Sequence, residues 1–295
     1  MSGLVQLLVA SLLWSVSFGL IKSTLGDVHP AFVGFARLAF TLPVFLPFLR
    51  LRGLCTSDKG RLLLLGGVQY GLAYSTYLYA YQYLEGHHVA LLTIFTPLYV
   101  VVFDAVMQRR SPWVPLGLAG LAVVGAAVIQ YRGATWSGVL VGALLMQVAN
   151  ACFAYGQLAY RTFRRQHPEI RDGRVFGLLF LGGTVVAAIT TTLLGGWSAA
   201  TALTGTQLAV LAYLGVIASG LGFFLWNRGA VTTPASTLAV MNNLKIPLGV
   251  AASVLVFGEQ TDLLRLLGGG ALMVAAAVVA QRWSTRTQSQ PSRQG

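Results

Sequence analysis

Apolar residues fall in long blocks, and polar residues gather in the short gaps between them. A helix that crosses the hydrocarbon core of a bilayer needs about 20 apolar residues. Ten blocks approach that length: Leu4–Ile21, Pro30–Leu49, Leu62–Leu84, Val89–Met107, Trp113–Tyr131, Gly138–Tyr160, Val175–Leu194, Leu208–Trp226, Ala235–Phe257 and Leu263–Gln281. The pattern predicts an all-α membrane protein of ten transmembrane helices. The first block has no basic segment before it and no small-residue cleavage pattern, so it is expected to stay as a helix. The longest connection is the polar stretch Arg161–Arg174, and the Ser/Gln/Arg-rich residues 284–295 are expected to form a disordered tail.

Polar residues inside the blocks are the exceptions to this pattern. The ninth block carries Met241-Asn242-Asn243-Leu244-Lys245-Ile246-Pro247 at its centre. A Lys at bilayer depth costs about 2.5–3.5 kcal/mol on insertion scales, and such groups normally face a protein interior or a water-filled path. Lys245 is therefore expected to line a polar cavity, with Asn242 three residues away on the same face. Tyr70, Tyr74, Tyr77 and Tyr81 share one face of the third block. Tyr74 and Tyr77 lie deep, where they either line the cavity or form an aromatic packing stripe. Gln147, Asn150, Ala154 and Gln157 share a face of the sixth block. Gln147 and Asn150 are cavity candidates, although mid-membrane carboxamides can also simply join helices. Trp14, near the middle of the first block, is either an apolar wall for a substrate ring or core packing.

Arg37 in the second block is either structural or a substrate contact. Asp104 near the end of the fourth is open to pairing with Arg109 or a neighbouring loop, or to proton coupling. Pro97 and Pro247 each sit about ten residues into their blocks, where proline removes a backbone donor and frees a carbonyl about one turn earlier.

Composition agrees with the block pattern. The chain is 56% hydrophobic and 9% charged, against about 25% charged in soluble domains. Its net charge of +12 would suggest nucleic acid in a soluble protein, but here it has a topological cause. Arg50, Arg52, Lys59, Arg61, Arg109, Arg110, the basic residues of Arg161–Arg174, Arg228 and the tail arginines fall on one side. Only Lys22, Arg132 and Arg265 fall on the other. Basic loops stay in the cytoplasm, so both termini are expected to be cytoplasmic and no nucleic-acid partner is implied. Cys55 and Cys152 stand far apart in unlike settings, which suggests neither a disulfide framework nor a zinc site. The pair His87 and His88 beside Glu85 is only a weak metal suggestion. No phosphate loop, nucleophile elbow or metalloprotease helix is present, so no catalytic residue, cofactor or metal is assigned and the chain is not expected to be an enzyme.

The two halves repeat. Leu91–Val101 reads LLTIFTPLYVV and Met241–Ala251 reads MNNLKIPLGVA, which sets Phe95 against Lys245 and Pro97 against Pro247. Five spans per half invert the second copy relative to the first, an architecture of secondary transporters with the site near the midplane. The residues LLWS at Leu12–Ser15, FARLAF at Phe35–Phe40, the Thr96-Pro97 pair and FGEQ…LLGGG over Phe257–Gly270 resemble the EamA family of the drug/metabolite transporter superfamily. That resemblance covers the chain to about Trp283. It implies one EamA repeat over residues 1–131 and a second over 137–283.

Within the family, the strings FLPFLRLRG (Phe45–Gly53), QVANACFAYG (Gln147–Gly156), ASGLGFFLWNRGA (Ala218–Ala230) and MNNLKIPLG (Met241–Gly249) resemble the biotin uptake transporters of the EamA type. The family usually ends its fourth span on an acidic residue, where this chain has Gln108-Arg109-Arg110. The resemblance implies secondary transport across a bacterial inner membrane, with biotin or another carboxylate-bearing metabolite as the small-molecule substrate. The alternative is an exporter of amino acids or related small metabolites.

Overall fold

The computed structural model describes residues 2–84, 89, 92–109, 111–130, 140–257 and 263–288. Regular structure among them is helical. Helix α1 (Gly3–Thr24) starts at Ser2, whose hydroxyl accepts from the Val5 amide, and α2 (Pro30–Phe45) starts on a proline that needs no partner for a missing N–H. Helix α3 is one rod in three parts: Thr56–Gly66, a π-helical stretch Gly67–Leu72, and Ala73–Tyr79. Then come α4 (Thr96–Gln108), α5 (Trp113–Gln130), α6 (Leu140–Gln166) and α7 (Phe176–Leu193). Helix α8 is again a three-part rod, Gly205–Tyr213, a π-helical Leu214–Leu221 and Gly222–Thr232, opened by a Thr204/Gln207 capping box. Helices α9 (Ala235–Phe257) and α10 (Leu263–Gln288) follow.

The packing repeats between halves. Helix α2 packs on α7, α4 on α9 and α5 on α10, while α1 lies on α8 as α6 lies on α3. The π-helical stretch recurs in the third helix of each half. Such stretches distort the backbone hydrogen-bond ladder and often mark functional sites. In α8, side chains from the other half bond to carbonyls in the distorted stretch: Trp14 Nε1 donates to the Ala218 oxygen at 2.8 Å and Thr41 Oγ1 to the Gly215 oxygen at 2.6 Å. A buried aromatic column joins the halves, with Tyr70 stacked on Phe223 at 4.6 Å and on Phe180 at 5.2 Å between ring centroids.

Among the described residues, four helical runs are long and apolar enough to cross a membrane: Pro30–Phe48, Leu140–Gln166, Phe176–Leu193 and Gly205–Thr232. The fourth expected span shows why others fall short. The chain turns at Ile94 and Phe95, and α4 begins only at Thr96. Pro97 is therefore in the first turn of its helix rather than ten residues inside it, as the block pattern suggested, because proline suits a helix start and disrupts an interior. Pro247 does lie inside the continuous α9. At the far end α10 continues past Trp283 to Gln288, since nothing in Ser284–Gln288 breaks a helix; residues 289–295 lie outside the described ones. His87, His88 and Glu85 also lie outside them.

Candidate functional site

A cavity of about 120 Å³ opens between the halves, with walls from α1, α2, α3, α4, α6, α8 and α9. Five expected substrate residues meet there: Lys245, Asn150, Tyr74, Tyr77 and Trp14. The helical period brought each to its face. Arg37 joins them, and among the described residues no acidic one stands on the wall.

One side is aromatic. Trp14, held through its bond to Ala218, meets Phe153 and Phe223 edge-on, with centroids 5.9 and 5.4 Å away. The opposite character comes from α6 and the segment before α4. Asn150 Nδ2 donates to the Leu92 carbonyl at 2.8 Å, and its Oδ1 accepts from Thr96 Oγ1 at 3.1 Å. Thr96 also bonds back to the Thr93 carbonyl at 2.8 Å. Carbonyls exposed by the interrupted helix are thus satisfied by side chains at the cavity edge. Broken helix is tolerated at membrane depth only where protein or water meets it. Tyr77 shares a hydroxyl bond with Tyr81 at 3.0 Å, and Tyr74 meets Ser219 at 3.2 Å.

Lys245 reaches the wall from α9, and among the described residues it has no hydrogen-bond or ion-pair partner. Its neighbours on the wall are neutral, apart from Arg37.

Two candidates lie off the wall. Asn242 is buried, with its carboxamide against that of Gln157 (3.4 and 3.5 Å) and donating to the Leu238 carbonyl at 2.8 Å. Gln157 in turn accepts from Trp226 Nε1 at 2.8 Å, and Trp226 packs on Trp14 at 5.0 Å. Asn242 therefore braces the aromatic wall from behind. Gln147 accepts from Tyr99 at 3.2 Å and from Asn150 at 3.4 Å, one step back from the cavity. Asp104 is also remote. Its ion pair is to Arg161 on α6, at 3.6 Å, rather than to Arg109, which caps α4 in a left-handed conformation (φ 52°).

Sequence reading missed Gln69, Thr93 and Phe153 on the wall. Gln69 was detectable as a lone carboxamide in an apolar block. It forms a reciprocal amide pair with Asn227 at 2.8 and 3.0 Å, and Asn227 also donates to the Tyr70 hydroxyl at 2.7 Å.

Two like helical halves around a partly polar cavity, inside a bundle with an apolar exterior, fit a multi-pass membrane transporter. The chain belongs to the EamA-like transporter family, which matches it twice, at residues 1–131 and 139–281. A probable biotin transporter of Pseudomonas aeruginosa is 39% identical over 92% of this chain and 94% of its own length. A biotin transporter of Salmonella typhimurium is 35% identical over 94% and 92% respectively. More distant is a pseudopaline exporter of P. aeruginosa, 27% identical over 95% of this chain and 96% of its own. A solved crystal structure shares the fold at a TM-score of 0.78 with 20% identity, covering 94% of this chain and 97% of that one.

Proposed function

We propose that this protein is a secondary transporter of the bacterial inner membrane that takes up biotin by alternating access. The observation that carries the reading is Lys245, an ammonium on a cavity wall that has no acidic residue among the described ones. A wall of that charge attracts an anion, and the substrate's carboxylate supplies the opposite charge. Asn150 and Tyr77 offer donors and acceptors to a ureido head, and Trp14 offers a flat apolar face to fused rings. Tyr74 adds a further contact on the wall, and Asn242 and Gln147 brace the wall from behind. The similarity to named biotin transporters supports the choice among carboxylates.

In this reading ten transmembrane helices form two inverted five-helix repeats, residues 1–131 and 137–283, with both termini cytoplasmic. The two halves rock about the cavity. The interruption before Pro97 and the proline within α9 set the geometry of the moving helices. Asp104, tied to Arg161, belongs to closure of the bundle end rather than to substrate binding.

The test is accumulation of radiolabelled biotin in biotin-starved cells that lack their own uptake system and express this chain. Accumulation above empty vector, reduced by Lys245→Ala, is expected; accumulation equal to empty vector would sink the reading. A second reading, export of amino acids or related small metabolites, is favoured by the similarity to pseudopaline exporters. It predicts faster efflux of a preloaded amino acid from the same cells.

A further inference from the structure

Arg37 enters the cavity from a different wall than Lys245. Helix α2 packs on α3, α7 and α8, whereas α9 packs on α1, α4, α5 and α10. The guanidinium is held on one edge and one face. Its Nε donates to Ser219 Oγ at 3.1 Å, and its central carbon lies 4.7 Å from the centroid of the Tyr74 ring. Ser219 and Tyr74 bond to each other at 3.2 Å, so α8 of the second half and α3 of the first form one cradle. Gly215, one turn before Ser219, lets α8 approach closely: a Cβ there would meet the Arg37 carbonyl at 2.7 Å.

The cradle leaves the other edge of the guanidinium uncommitted. Neither Nη group has a hydrogen-bond or ion-pair partner among the described residues, and Arg37 lines the cavity although it is only 3% exposed. Arg164 in the same chain shows the contrast, with its Nε on Asp172 at 2.8 Å and an Nη on the His167 carbonyl. A purely structural arginine would be expected to engage its fork in this way. The pair of Nη groups matches the two oxygens of a carboxylate, a geometry that a lysine ammonium cannot reproduce.

We propose that Arg37 is a specificity-determining residue, whose two Nη groups read the substrate's carboxylate while Lys245 adds charge from α9. This rests on the reading of a carboxylate-bearing substrate given above and names the group that selects it. Tyr74 and Ser219 are positioning residues that aim the fork.

The test is binding of two probes, biotin and the uncharged biotin methyl ester, to the purified full chain in detergent. The wild type is expected to bind the acid at least about tenfold more tightly than the ester. Arg37→Gln removes that preference by weakening the acid and leaving the ester unchanged. Arg37→Lys, which keeps the charge and loses the fork, recovers only part of it; where the glutamine variant does not fold, the lysine variant carries the test. An undiminished acid-to-ester ratio in these variants overturns the inference while biotin uptake stands. Equal weakening of both probes assigns Arg37 to packing and also overturns it. A wild type that binds neither probe overturns the biotin reading and this inference together.

Discussion

The side-chain amide of Asn243 on α9 donates to the carbonyl oxygen of Ile94 at 2.9 Å, in the turn just before α4. The fourth helix of one half thus ties down the turn that leads into the fourth helix of the other. Lys245, two residues further on, reaches the cavity from the same helix. Asn243→Ala leaves a buried carbonyl without its donor. Interhelical bonds of this kind in membranes average about 0.6 kcal/mol and reach about 1.7. A fall of several degrees in detergent melting temperature is expected, with reduced uptake. An unchanged melting curve would show that the bond does not hold the turn.

Lys245→Ala should lower biotin uptake at least about tenfold, equivalent to about 1.4 kcal/mol, with folded yield close to wild type. Trp14→Ala should lower uptake and also stability, because it removes both a wall and a bond to the π-helical stretch of α8. Initial uptake rates, compared with yield by size-exclusion chromatography, separate the two effects.

Helices α3 and α7 meet backbone to backbone. A Cβ at Gly66 would stand 1.9 Å from the Leu179 carbonyl oxygen, and one at Gly182 would stand 2.0 Å from that of Leu63. Backbone cannot give way as a flexible side chain can. Gly66→Ala and Gly182→Ala should each cost at least about 1–3 kcal/mol and sharply reduce folded yield. Gly117→Ala and Gly120→Ala on α5, where a Cβ meets nothing within 4 Å, are the controls and should fold normally.

The pair Asp104–Arg161 ties α4 to α6 at 3.6 Å, with side chains 24% and 6% exposed. Removing one member takes an opposite charge away from the other in a partly buried setting. Asp104→Asn should lower the melting temperature, as should Arg161→Gln. The double variant should be more stable than the sum of the two losses implies. A double-mutant cycle with zero coupling would refute the link.

At the start of α3, the Cys55 thiol donates to the Asp58 carboxylate at 3.0 Å, and His167 lies 3.4 Å from the same oxygen. The thiol bond first, then the histidine's charge, hold this carboxyl below its ordinary value of 3.8. A group with a lowered folded-state value stabilises fully above its unfolded value and loses that contribution as pH falls through the folded one. Melting temperatures measured from neutral pH down past 3.8 should fall less steeply on the acid side for Asp58→Asn than for wild type. The carboxyl is near the surface, so the difference should be small.

Much of the site is written in helical periodicity. Tyr74 and Tyr77 share a face because they are three residues apart, and a lone Lys245 in an apolar block must find a polar wall. Periodicity says which way a side chain points on its own helix, but not what stands opposite. Asn242 and Lys245 look equivalent in sequence, yet Asn242 meets Gln157 while Lys245 meets the cavity. The partners Gln69 and Asn227, 158 positions apart, were beyond local reading. So was Asp104's choice of Arg161 over nearby Arg109.

Hydrophobic length and the cost of burying charge are local properties, so a helical membrane protein of two like halves with basic groups in its spans is legible along the chain. Which polar groups satisfy one another and which remain on the wall follows from the packing of the helices. Hydrogen bonds and ion pairs between helices depend on how the two halves are brought together, and that arrangement left Lys245 and Arg37 on the cavity wall.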